Sequence, residues 1–265
     1  MSMANAWKSP HVRVDLGAGR TAWAVAFVMA MGAMSACGSG AGTAQTHVRP
    51  VHAATKPSTQ ASSDPAGSPK PLTESQLEAA AITAADVPGL EADTTQDSTG
   101  VADQRFTASS GGPVCTEFLN ASNAYAGTYG SSAEVVKGFA VRVANRRPLG
   151  VTVTLVGHTS VAGAQKVVDD TRRSAKGCAH LTVGDDGTRV NLAPMSLPVM
   201  GDDSTVTRVG LISGKNSGCM TVGLVRVGAV SLNIMVTATD GYYFNVVRQV
   251  AKASVSKLQE QNLGS

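Results

Sequence analysis

The chain has 265 residues, of which 43% are hydrophobic, 15% charged and only 4% aromatic, with a formal net charge of +3. Setting aside Lys8, Arg13, Arg20 and Asp15 of the N-terminal segment leaves the remainder near +1, which is no footprint for nucleic acid. So few aromatic rings also disfavour a surface that stacks bases or sugars, while the length is ample for one domain with a real core.

Residues Thr21 to Cys37 read TAWAVAFVMAMGAMSAC. Three cations precede this apolar run, it is too short to span a bilayer comfortably, and no charged stop-transfer segment follows. Small Ser35 and Ala36 stand directly before Cys37. The pattern predicts an export signal over residues 1–36 and a lipid-modified Cys37 holding the protein on the outer face of the cell membrane. Met34 occupies the position where such signals usually carry Leu, and the competing reading is an ordinary cleaved signal with a chance cysteine. Residues 37–71 are dense in Ser, Thr, Ala, Gly and Pro and cannot bury enough apolar surface to offset the entropy of ordering. They read as a disordered tether with a root-mean-square reach of about 30 to 35 Å. His47 and His52 fall within it, without a third metal ligand near them.

Residues 72–265 read as the globular domain. Thr73-Glu74-Ser75-Gln76 matches a capping box, and Leu77, Ala80 and Ala81 supply an apolar helix face ending before Pro88-Gly89. One short strand is expected around Gln104 to Thr107. Pro113 then opens a helix to about Ala126, with Cys115, Phe118, Leu119 and Ser122 on one stripe. Strands over Glu134 to Val143 and Gly150 to Val156 form a hairpin about Asn145-Arg146-Arg147-Pro148, where the two arginines read as a solvated loop tip.

Ser160 to Gly177 has helical spacing, with Val161, Ala164, Val167, Val168, Thr171 and Ala175 inward and Asp169, Asp170, Arg172 and Arg173 outward. Asp186-Gly187 marks a tight hairpin between Leu181 to Gly184 and Thr188 to Leu192; Asp185 and Asp186 are read as turn chemistry and not as a cation site. A meander follows over Thr205 to Ile212, Cys219 to Val227 and Ala229 to Thr237. The last of these alternates cleanly, as in a sheet with one face wet or one face under a helix. A helix from about Tyr242 to Gln261 closes the chain. The fold class is therefore α+β: one domain with an antiparallel sheet of about five to seven strands packed against helices.

If Cys37 carries lipid, Cys115, Cys178 and Cys219 remain, and an oxidising milieu favours one pair and one leftover thiol. The expected pair is Cys115 with Cys178, each at the end of a helix on the same sheet. It closes a loop of about 64 residues, worth roughly 4 kcal/mol on the chain-entropy model. Cys219 begins an apolar strand and reads as a buried, inert thiol.

Catalytic constellations are scarce. His158 and His180 are the candidate bases, with no G-x-S-x-G elbow beside them. A Cys178/His180 pair loses its nucleophile if Cys178 is bridged. Ser254-Val255-Ser256-Lys257 matches S-x-x-K, but lies at the end of the chain without the further motifs such enzymes need. P-loop, H-E-x-x-H, C-x-x-C and dinucleotide fingerprints are absent, so no cofactor, metal site or catalytic residue is assigned.

Thr83-Ala84-Ala85-Asp86-Val87-Pro88-Gly89, the two helix cysteines, and Gly201-Asp202-Asp203 entering a three-strand meander carry a resemblance over about Leu72 to Leu258. The chain resembles actinobacterial sensor-type domains, which occur as lipoproteins and as the extracellular part of PknH-like receptor serine/threonine kinases. That resemblance implies a sheet flanked by helices, a cleft on one side and a ligand-sensing role. The family's domain usually has two disulfides, from which the odd cysteine count departs. The expected function is a membrane-anchored, non-enzymatic ligand-binding or sensor-like module for an unknown small molecule, envelope component or protein, with ligand residues unassigned. The binding reading calls for a concave apolar pocket. The alternatives are a structural or assembly lipoprotein acting through protein contacts, and an envelope hydrolase using His158 or His180.

Overall fold

In the computed structural model, residues 71–103, 105–144, 147–183, 187–239 and 241–263 are described. The signal, Cys37, His47 and His52, as well as Gln104, Asn145, Arg146, Asp185 and Asp186, lie outside the described residues.

Thr73 starts helix α1 (Glu74–Ala80) as its sequence dictates: its side chain accepts from the Gln76 N–H, and the Gln76 side chain accepts from the Thr73 N–H at 2.9 Å. Leu77 and Ala80 are fully buried on its inner face. A 3-10 turn, Ala84–Asp86, precedes Pro88 and leads into β1 (Leu90–Ala92). The expected strand near Thr107 is not found among the described residues. Two shorter ones occur earlier, β1 and β2 (Ser98–Thr99), both paired with β3 (Ser131–Val141). Their backbones are stabilised by the edge of a long neighbour and not by any periodicity of their own.

Helix α2 (Gly112–Ser122) stops short of the expected Ala126, because Ala124 turns left-handed at φ 46° before the four-residue α3 (Ala126–Tyr129). The hairpin β3–β4 (Leu149–His158), helix α4 (Val161–Gly177), β5 (His180–Val183), β6 (Thr188–Met195), the meander β7 (Asp203–Ser213), β8 (Asn216–Val227) and β9 (Val230–Ala238), and helix α5 (Phe244–Leu263) follow in the anticipated order. The nine strands of the described residues belong to one antiparallel sheet, in the order β1-β3-β4-β9-β8-β7-β6-β5 with β2 beside β3. The sheet is thus larger than the five to seven strands expected, through β1 and β2.

Helices cover both faces. On one, α5 lies over β8 and β9 and α1 over β3 and β4. Leu77, Val153, Leu155, Leu232, Ile234, Val250 and Leu258 form the core there, all with exposure at or near zero. Each such side chain contributes roughly 1.5–3 kcal/mol by leaving water. On the other face α4 packs on β6, β7, β8, β9 and β4, with α2 and α3 against it. Both faces of β9 are therefore covered, where a wet face or one helix-covered face was expected: Ser231 and Asn233, on the face away from α5, meet His158 and the Ser122 carbonyl.

The Cys115–Cys178 bridge forms as anticipated and ties α2 to the C-terminal end of α4, with Cα atoms 5.1 Å apart. Cys219 is buried, as expected, but it is not a free thiol. Asp170 is a further correction. Placed on the outer face of α4 by spacing, it is buried and takes hydrogen bonds from the Tyr129 hydroxyl (3.1 Å), Arg173 (2.6 Å) and Lys166. Burial pushes its carboxyl up, but the hydrogen bonds and charges of Lys166 and Arg173 outweigh it and hold the carboxyl below the usual range.

Candidate functional site

Side chains alternate across a strand, so burial on one face assigns the other. In β6, Val190 and Leu192 are buried on the α4 side. Arg189, Asn191 and Ala193 therefore point to the opposite face. Likewise, buried Thr207, Val209 and Leu211 of β7 leave Arg208, Gly210 and Ile212 on that face, and buried Leu181 of β5 leaves His180 and Thr182 there. This is the face that α5 and α1 cover farther along the sheet. Over β5 to β7 it is open: His180, Arg189 and Arg208 are all exposed.

Register gives the layout. His180 pairs with Asn191 and Asn191 with Gly210, so the three form one row across the strands. Arg189, opposite Ile212, lies one row to one side, and Arg208, opposite Ala193, one row to the other. Two residues of strand separate adjacent rows, which sets the two arginines roughly 13 Å apart along the strand direction.

Gly210 lies between them, with Tyr242 and Asn191 within van der Waals reach of its Cβ position. A Cβ there would meet nothing closer than the Tyr242 hydroxyl at 3.6 Å and Asn191 Cβ and Nδ2 at 3.7 and 3.9 Å. The Tyr242 ring stacks on Phe244 and has the Arg208 guanidinium 5.5 Å from its centroid, while the neighbouring Tyr243 N–H donates to Thr221 Oγ1 at 3.2 Å. His180 Nδ1 meets Asn191 Oδ1 at 2.7 Å, and Asn191 Nδ2 lies 3.9 Å from the Gly210 Cβ position.

The groups round Gly210 are thus mostly donors. Among the described residues neither Arg189 nor Arg208 forms an ion pair, whereas Arg142, Arg172, Arg173 and Arg226 each do. The open surface is polar, not the apolar concavity anticipated, because the apolar positions of β5 to β7 are used on the α4 side.

The two candidate histidines are separated by this architecture. His180 stands on the open face. His158 is completely buried, with Nδ1 at 3.0 Å from the Tyr129 carbonyl and Nε2 at 2.8 Å from Ser231 Oγ. Burial lowers its pKa, and Ser231 is itself 1% exposed. The serine–histidine distance meets a catalytic requirement, but both groups are sealed under helices and act as a link between β4, β9 and α3. The S-x-x-K serine, Ser254, is likewise fully buried, and Lys257 is used to hold Asp86 at 2.7 Å and the Ala81 carbonyl at 3.3 Å. Among the described residues no group of three or more His, Cys, Asp or Glu side chains could hold a metal ion, and no helix is long and apolar enough to cross a membrane.

A second perturbed group lies on the α3 and α4 side. Glu134 is 3% exposed and accepts from the Ala102 N–H at 3.3 Å. Burial pushes its carboxyl up to about 7, a little offset by that hydrogen bond.

The fold defines an α+β sheet domain with helices on both faces and one half-face left open. It is similar to the extracellular domain of PknH from Mycobacterium tuberculosis, with a TM-score of 0.53 at 15% identity over 72% of this chain and 98% of that one. At that identity the likeness is one of fold. No protein-family model matches the chain, and no curated protein matches it in sequence.

Proposed function

We propose that this protein is an exported, sensor-like binding module, tethered through residues 37–71 to a lipid on Cys37 and presenting the open half-face of its sheet to a ligand. The single observation that carries the reading is the open half-face over β5 to β7, where exposed Arg189 and Arg208, without an ion pair among the described residues, stand beside Asn191, His180 and Tyr242 on a face that is otherwise under helices. Export is supported by the apolar N-terminal run with its small residues before Cys37, by the Cys115–Cys178 bridge, and by the fold shared with an extracellular domain. The sealed state of His158 and Ser231 weighs against an envelope hydrolase.

Thermal-shift screening of the protein against wall fragments, lipids and metabolites tests this, because a ligand that binds only the native state raises the melting temperature. A shift from one chemical class supports a binding module. No shift from any class would favour the rival reading, a lipoprotein that acts through protein contacts alone.

A further inference from the structure

We infer that the loop between β6 and β7 is a membrane-contacting tip, whose apolar side chains enter the headgroup–acyl boundary of the bilayer; this rests on the reading that residues 37–71 tether the domain to a lipid on Cys37. Position carries the first half of the argument. Strand register gathers the β6–β7 loop, the end of β4 and the β8–β9 turn at one end of the sheet: Met195 pairs with Val206, Asp203 with Arg226, and Val230 with both Val227 and Gly157. Leu72, at the start of the domain, reaches that same end, its carbonyl 3.1 Å from the position a Gly157 Cβ would take. The chain thus enters the domain at the end of the sheet that carries this loop. Two of the exposed large hydrophobic residues stand there as well, Val199 in the loop at 68% exposure and Val161 in the first turn of α4. Val161 is one helical turn before Gln165, whose amide donates to Asp203 at 2.8 Å where the loop runs into β7.

Composition carries the second half. Pro194-Met195-Ser196-Leu197-Pro198-Val199-Met200-Gly201 holds no charged residue. Its two prolines have no N–H, so fewer backbone donors lose water when the loop enters an interface. The end of the loop is already fixed: Met200 N–H donates to Ser204 Oγ at 3.0 Å and Asp202 N–H to the Arg226 carbonyl at 2.8 Å, which lowers the entropy lost on contact. Asp202 and Asp203 are paired with Arg226 at 2.9 Å and Arg172 at 2.6 Å, so neither presents an uncompensated charge to anionic headgroups. A small apolar tip attaches only weakly by itself, but a lipid and a tether keep it at high effective concentration beside the bilayer. A stable protein interface needs roughly 800 Å² on each partner, more than a tip of this size offers, whereas insertion beside a covalent lipid needs only a few side chains.

Tryptophan fluorescence tests the inference, because Trp7 and Trp23, the two tryptophans of the chain, lie in the predicted signal and one placed in the domain reports alone after processing. V199W and V114W, each expressed as the full chain and purified from membranes, are reconstituted in vesicles of phosphatidylethanolamine and phosphatidylglycerol. Val114 is the matched control: it is exposed and sits against Gly177, at the other end of α4 from Val161 and about 24 Å away along the helix. Both substitutions are at exposed positions, so both variants should keep the parent melting temperature. On reconstitution the V199W emission is expected to shift to the blue and to be quenched several-fold more strongly than that of V114W by lipids brominated near the headgroup end of the acyl chain. Equal quenching of the two, with the protein retained on the vesicles, would overturn the membrane contact and leave the lipid anchor standing. Purified protein that carries no lipid and is not retained on vesicles would remove the anchor and the inference together. A blue shift of V199W that appears without vesicles as protein concentration rises would also overturn the inference, by assigning the loop to contact with a second copy of the chain.

Discussion

Gly210 and Gly223 face the same side of the sheet from neighbouring strands, yet their surroundings are opposite. A Cβ at Gly223 would lie 2.5 Å from Val247 of α5, whereas one at Gly210 would be 3.6 Å from its nearest neighbour. The first glycine lets a helix seat on the sheet; the second marks where the helix layer ends. Gly223→Ala should therefore destabilise by about 1–3 kcal/mol, the cost of overpacking a filled core. Gly210→Val should leave stability within about 1 kcal/mol or raise it, since a strand gains from a β-branched side chain. Urea denaturation of the two variants measures both, and a large loss in Gly210→Val would show that Tyr242 and Asn191 leave no room for the added methyl groups.

Glu134 makes stability fall with rising pH. Its carboxyl is raised to about 7 in the fold from an ordinary 4.5. Between those values the unfolded chain has released its proton and the folded one retains it, so the folded state loses ground as pH rises through that window and the loss is complete above it. The linkage is worth up to about 3 kcal/mol. Glu134→Gln should thus be more stable than the parent at pH 8 and nearly equal to it at pH 4. Parallel stability curves for the two proteins across that range would contradict the buried neutral carboxyl.

Asp170 acts with the opposite sign. Its carboxyl is lowered in the fold, so the stability it gives is present above the usual carboxylate range and is lost as the pH falls through the folded value. Asp170→Asn should cost about 1–3 kcal/mol at pH 7, because the Tyr129 hydroxyl loses a charged acceptor and two partly exposed cations lose their counter-ion. The difference from the parent should shrink on acidification. A pH-independent difference would assign the effect to packing.

The bridge and the anchor are separable by mass mapping of unreduced protein taken from membranes. A Cys115–Cys178 linked peptide is expected, and the Cys115→Ala/Cys178→Ala variant should lose about 4 kcal/mol on the chain-entropy model for a separation of 63 residues. Cys219 is not a free thiol, so the mapping also reports which peptide it is linked to. Diacylglycerol on Cys37, and release of Cys37→Ala to the medium, are the outcomes the anchor predicts. A Cys37–Cys219 peptide would overturn it.

Local chemistry was the legible part of the sequence. The Thr73 capping box, the Gly187 hairpin, the stripe on α4 and the helix-end cysteines are each specified within a few residues, and each formed where expected save Val161, which was expected inward but is exposed in the first turn of α4. What depended on partners was not legible. β1 and β2 are too short to carry a period and exist by pairing with β3. Asp170 sits at the polar edge of a helical stripe, and only the arrival of Tyr129 from α3 makes that position interior. The open face left a trace that needed the sheet order to interpret: Arg189-Val190-Asn191-Leu192 and Arg208-Val209-Gly210-Leu211 alternate, while β8 is buried on both faces from Gly218 to Val225. Alternation shows that one side of β6 and β7 is not core. It does not show that the two strands present that side together, or that Tyr242 reaches over Gly210.

The most direct test of that face is amide chemical-shift mapping of the protein with whichever compound raises its melting temperature. Perturbations concentrated on His180, Arg189, Asn191, Arg208, Gly210 and Tyr242, and lost in Gly210→Val, are the predicted result. Perturbations centred instead on α2 and α4, unaffected by Gly210→Val, would contradict it.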